Sequence, residues 1–107
     1  MPDRLTVVAS SATDRRGRDN VMYYTYVLKS EKNNRLYVGS TSNLKHRLAE
    51  HNSGIGGKYT HDNRPFILIF YEAFLSEKDS KRQERFYKSG YGKEVLNEKI
   101  VNSLDIL

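Results

Sequence analysis

The sequence predicts an α+β domain: a small antiparallel sheet of about three strands, flanked by helices, in the order β-β-α-β-α-α. Three observations carry this. Tyr23 to Leu28 and Arg35 to Gly39 are short aromatic and β-branched runs on either side of the turn-forming Ser30-Glu-Lys-Asn-Asn34, which is the pattern of a hairpin. Leu44 and Leu48 recur at helical spacing between candidate caps, Ser42 or Asn43 before them and Gly54 after. Phe66 to Tyr71 is almost continuously apolar, and a polar helix-forming stretch follows Ser76.

A chain of 107 residues holds one domain with a modest core. There is no cysteine, which excludes disulfides, zinc-thiolate sites and thiol catalysis. No apolar run approaches the ~20 residues of a membrane-spanning helix, and the expected location is the cytoplasm. The formal charge of +5 fits a polyanionic partner. Residues 1–21 hold none of the eight tyrosines and read as a disordered extension, with Met22 as an alternative start directly before the first strand. The domain is expected over 22–107.

Any even-numbered hairpin loop puts Tyr26 and Tyr37 on one sheet face, because side chains alternate with period two. On the helix that follows, Arg47 and His51 lie on one flank of the Leu44–Leu48 stripe, while His46 and Glu50 point to water. Residues 53–64 read as a Gly-rich polar loop, mobile at 54–57. Phe66 to Tyr71 reads as a strand covered on both faces. Ser76 with Asp79 suggests a capping box. Ser80, Glu84 and Tyr87 share a face of the next helix, Ser89-Gly-Tyr-Gly92 breaks it, and a last helix runs from Lys93 to Val101.

Tyr24-Thr25-Tyr26 followed by Tyr37-Val38-Gly39 resembles the paired tripeptides of the GIY-YIG nuclease family. The likeness is to its small stand-alone bacterial members, which are similar to the N-terminal nuclease domain of the bacterial ABC excinuclease. Further landmarks agree in order: Arg47 and His51, Lys58-Tyr59-Thr60, Arg64-Pro65, and Glu84 in Gln-Glu-Arg-Phe-Tyr-Lys-Ser-Gly-Tyr-Gly. The resemblance covers Met22 to Ile100. It departs from the family where Tyr24-Thr25 replaces Gly-Ile, and neither Asn97 nor Asn102 can be matched to the late asparagine of some members.

The resemblance implies a metal-dependent DNA endonuclease acting in repair or recombination, with Tyr26, Tyr37, Arg47, His51 and Glu84 as catalytic residues. Glu84 would anchor a single Mg²⁺ or Mn²⁺, since a hard cation that keeps most of its water can sit on one carboxylate. Arg47 would offer a planar cationic fork to the phosphate. Tyr26 or Tyr37 would accept the proton of the attacking water, directly or through a relay, its phenolate favoured by the metal and Arg47; the reading preferred is Tyr26 as the base with Tyr37 orienting it and His51 positioning a hydroxyl or the water. Lys45, Arg47, Lys58 and Lys88 would hold the DNA. Taken singly, each residue has a plainer role: strand-edge aromatics, a solvated helix pair, a surface ion pair. Their joint occurrence in order is what points to a site. The alternative is a catalytically silent nucleic-acid-binding module of the same fold.

Overall fold

The computed structural model describes residues 21–55 and 57–106. The hairpin forms as its residues dictate. Strands β1 (Tyr23–Ser30) and β2 (Leu36–Thr41) pair antiparallel, from Tyr24 opposite Thr41 to Lys29 opposite Leu36. Six residues, 30–35, separate the last paired positions Lys29 and Leu36, an even number, and Asn34 takes the left-handed φ of 65° that asparagine tolerates better than most residues. Tyr26 stands opposite Gly39 and Leu28 opposite Tyr37, so both tyrosines share a face, as alternation requires.

Strand β3 (Phe66–Phe74) pairs antiparallel with β1, and the sheet order is β2-β1-β3. Here the structure corrects the sequence reading. The most buried strand is β1, at the centre, whereas β3 is an edge strand with only Phe66 fully buried. Its apolar run is continuous because the register shifts beside Leu28: Val27 pairs with Phe70 and Leu28 with Leu68. A bulge of this kind inverts the in–out alternation. Phe66 and Leu68 therefore join Tyr26 and Leu28 on one face, while Ile69 and Phe70 pack with Val27 on the other.

The first face is covered by helix α1 (Leu44–Ser53). The Asn43 side chain accepts the His46 amide at 3.0 Å, and Gly54 ends the helix at φ 90°. Leu44 and Leu48 lie on the Tyr26–Leu28 cluster. The side-chain amide of Asn52 clips α1 to β3, accepting from the Phe66 amide at 2.6 Å and donating to its carbonyl at 3.1 Å. The expected loop contains a short helix, α2 (Lys58–Asn63), in which Lys58 and Asp62 pair at 2.8 Å across one turn.

Helices α3 (Glu77–Lys88) and α4 (Gly90–Ile106) cover the second face, where Val27, Val38, Tyr87, Leu96 and Ile100 form the core. Thr25 pins α3 to the central strand by donating to the Ser80 carbonyl at 2.7 Å. Ser76 precedes α3, but its side chain makes no cap hydrogen bond and Asp79 turns to Arg82 instead, so there is no capping box. The break before α4 is narrower than expected. Ser89 alone separates the helices, its Oγ accepting the Gly92 amide at 3.1 Å, and Gly90-Tyr-Gly92 is the first turn of α4. Among the described residues no helix is long and apolar enough to cross a membrane. The expectation of a disordered 1–21 falls, apart from Val21, outside the described residues.

Candidate active site

Tyr26 rises from the central strand toward α1 and is buried, 2% exposed. Its phenol lies across the backbone of β2 at Gly39, where an added Cβ would stand 2.5 Å from the hydroxyl and 2.6 Å from Cζ. Only glycine leaves that room. The Tyr26 hydroxyl meets His51 Nε2 at 2.9 Å, and His51 is itself fully buried. Tyr37 stands edge-on to the imidazole, ring centroids 5.1 Å apart, with Phe66 beyond at 6.3 Å. The partner that the Tyr26 hydroxyl meets at 2.9 Å is therefore His51; Tyr37 walls the imidazole.

Arg47, one turn before His51, gives one arm to Glu50 at 3.2 Å, and its guanidinium acts on the Tyr26 hydroxyl in the direction of phenolate. That pairing draws Glu50 back toward the protein and leaves it half-buried, against the expectation that it faces water. His46 is exposed as expected.

Burial governs the two central groups. It pushes the Tyr26 hydroxyl up to about 12, outweighing the hydrogen bond and charge of Arg47 that favour phenolate. Burial, joined by the Arg47 charge, lowers His51 below the ordinary 6.5 against the opposing pull of Glu50. At neutral pH the pair is a neutral phenol facing a neutral imidazole. The protein's own groups favour the phenol, whereas the phenolate expected from the sequence called on a metal as well as on Arg47.

Glu84 projects from α3, in the layer on the opposite side of the sheet, and reaches the end of edge strand β2. Ser40 Oγ donates to one of its oxygens and Lys88 Nζ to the other, both at 2.7 Å. Burial works to raise this carboxyl, but the hydrogen bonds from Lys88 and Ser40 and the charges of Lys88 and Lys81 outweigh it. Its pKa is held below 4.5 and it is ionised. The Glu84 charge also acts on the Tyr26 hydroxyl. One ionised carboxylate beside a hydroxyl suits a hard cation that keeps most of its water. Among the described residues no group of three or more His, Asp or Glu stands together for a larger metal site.

Of the cations expected to hold DNA, Lys45 is exposed on α1, Lys58 is paired with Asp62, and Lys88 is held by Glu84. The sequence reading gave no role to Gly39, Ser40 or Asn52. Gly39 had a legible signal, its place directly after Tyr37-Val38 in the second motif; the other two make contacts that no local pattern announces. Gly39→Ala is expected to displace the Tyr26 ring, lowering Tm by about 4 °C or more and any phosphodiester cleavage about 10²-fold. Thermal melts beside rate measurements check this, and a Tm loss with unchanged rate would make Gly39 a packing residue only.

Phenols and an imidazole, rather than a cluster of carboxylates, stand at the centre of this site. The family model of the GIY-YIG catalytic domain matches residues 22–98, and the chain belongs to that family. Nuclease-type function and a nucleic-acid substrate follow from membership, and nucleases of this family generally use a divalent metal. The chain is 44% identical over 62 residues to a UPF0213 protein of Staphylococcus haemolyticus, covering 58% of this chain and 74% of that one. It is 45% identical over 76 residues to a UPF0213 protein of Pediococcus acidilactici, with 69% and 76% covered. The solution NMR structure of a UPF0213 protein from Bacillus halodurans is 34% identical, covering 72% of this chain and 83% of that one at a TM-score of 0.45.

Proposed function

We propose that the chain is a divalent-metal-dependent DNA endonuclease that hydrolyses phosphodiester bonds in cytoplasmic DNA during repair or recombination. The observation that carries this is the 2.9 Å contact between the Tyr26 hydroxyl and buried, neutral His51, beside the charge of Arg47. Phosphodiester hydrolysis needs a proton acceptor for water and positive charge on the phosphoryl oxygens. A phenol pushed up to about 12 is a poor base alone. With His51 Nε2 unprotonated, however, Tyr26 accepts the water proton on its oxygen while passing its own proton to the imidazole. Tyr26 thus places the acceptor and His51 supplies the basicity. Arg47 has N–H groups beyond the one held by Glu50 to turn to a phosphate. Glu84 would hold one Mg²⁺ or Mn²⁺, which when bound neutralises charge on the phosphoryl and leaving oxygens. Lys45, Lys58 and Lys88 would add sequence-independent attraction to the backbone.

The first test is cleavage of a panel of branched and linear DNAs with Mg²⁺, Mn²⁺ or EDTA. No cleavage with either metal would leave the binding-module reading. The pH profile then tests the relay. The neutral form of His51 is the active one, and its pKa lies below 6.5. The logarithm of the rate should therefore rise with pH below that value and run level to about pH 9. A Tyr26 phenolate base would instead give a rise of about tenfold per pH unit through the same range, and that outcome would remove His51 from the reaction.

A further inference from the structure

On the face of β2 away from Tyr26, β2, α3 and α4 enclose a cavity of about 210 Å³. Its floor is apolar, made by Val38, Tyr87 and Leu96, and its rim carries Lys88, Lys93 and Asn97. The volume far exceeds the ~30 Å³ share of one water and falls short of the ~300 Å³ of the smallest drug-sized pockets. It suits one planar ring system. The rim adds an anion requirement, because Lys93 has no ion-pair partner among the described residues and Lys88 has only Glu84. Asn97, exposed on α4, offers a donor and an acceptor to the edge of a ring.

The cavity is tied to the candidate active site twice. Lys88 lines it and also donates to Glu84 at 2.7 Å. Val38 lies two residues before Ser40 on the same strand face, a step of about 7 Å along β2, and Ser40 is the other partner of Glu84. A ligand seated here is a near neighbour of a phosphate at Glu84. Apolar floor, amide edge and two ammonium groups match a nucleobase carrying its phosphate better than a purely apolar or purely anionic ligand. A base taken into a pocket must leave its stack and its pair, and the penalty of a few kcal/mol is least where the strand is already unpaired.

We propose that this cavity receives one unpaired nucleobase of the DNA strand beside the scissile phosphate, so that the enzyme selects strands that are single or frayed at the cut. The substrate class rests on the nuclease reading; the cavity's binding chemistry does not. The test is titration of the metal-free ¹⁵N-labelled protein with deoxyadenosine monophosphate, with inorganic phosphate and deoxyadenosine as separate probes. Saturable shifts of the Val38, Leu96 and Asn97 amides are expected with the nucleotide, and binding about tenfold weaker or more with phosphate alone, the ring being worth ~1–3 kcal/mol. Asn97→Trp, at an exposed position that leaves the core intact, should fill the mouth and abolish these shifts. The proposal is overturned if phosphate alone binds as well as the nucleotide, if Asn97→Trp binds as the unaltered chain does, or if no saturable shift appears at these amides. Because binding is read without metal or turnover, a failed cleavage assay would sink the nuclease reading while leaving this result standing.

Discussion

Tyr26→Phe removes one oxygen atom and is expected to remove about 10²–10⁴-fold of the cleavage rate, while the protein still folds and still binds DNA. The phenylalanine ring keeps its place over Gly39, so the sheet and α1 have no reason to move. What is lost is the 2.9 Å link to His51. His51 Nδ1 already has no hydrogen-bond partner among the described residues, so the variant leaves the whole imidazole unbonded at a cost of about 1–3 kcal/mol. Tm should fall by a few degrees with unchanged circular dichroism. Metal binding, assigned to Glu84 in the proposed function, should be retained. Cleavage within a few-fold of wild type would remove Tyr26 from the chemistry.

Glu84→Gln is expected to lower cleavage by at least about 10²–10³-fold, on the order of the loss of a main source of charge stabilisation. Glutamine keeps the shape and can still accept from Ser40, but lacks the charge that a cation needs. Metal affinity, read by calorimetry or Mn²⁺ relaxation, should fall in parallel, while DNA binding in EDTA persists. Stability should respond in one direction with pH. The Glu84 carboxyl is held below 4.5 in the fold, so the folded state binds fewer protons than the unfolded one as pH falls toward that range. Its contribution is present above about pH 4.5 and lost as pH drops through the lowered value. Any stability advantage of the native chain over Glu84→Gln should thus shrink in acid. A Gln variant with native metal affinity would move the metal elsewhere.

The parts of this molecule that were legible in its sequence are those set by short-range geometry. Alternation puts Tyr26 and Tyr37 on one face for any even-numbered loop, a condition the observed register meets, and Asn43 and Gly54 bound α1 as their conformational preferences require. What was not legible depends on contacts far apart in the chain. The bulge opposite Leu28 lets an edge strand imitate a doubly covered one. Asp79 is drawn to Arg82 and away from the Ser76 cap. Ser40 reaches Glu84 across 44 positions, and His51 meets the Tyr26 hydroxyl at 2.9 Å. Pattern alone picks out Tyr26, Tyr37, Arg47 and His51 as neighbours; their division of labour depends on burial, which pattern does not measure.

Because β1 is the middle strand, alternate residues along it serve opposite sides of the protein. Thr25 and Val27 hold α3 and the larger core, while Tyr26, between them, carries the phenol. The Tyr26 oxygen is thereby bolted to the part of the chain with the most to lose by moving. Loosening it requires breaking two ladders of backbone hydrogen bonds at once, so the site has no low-energy way to melt while the rest of the domain stays folded. Heat or denaturant should take position and activity together, and adaptability toward different substrates must come from the rim: the exposed lysines, the short α2 helix and the mouth of the cavity beside β2.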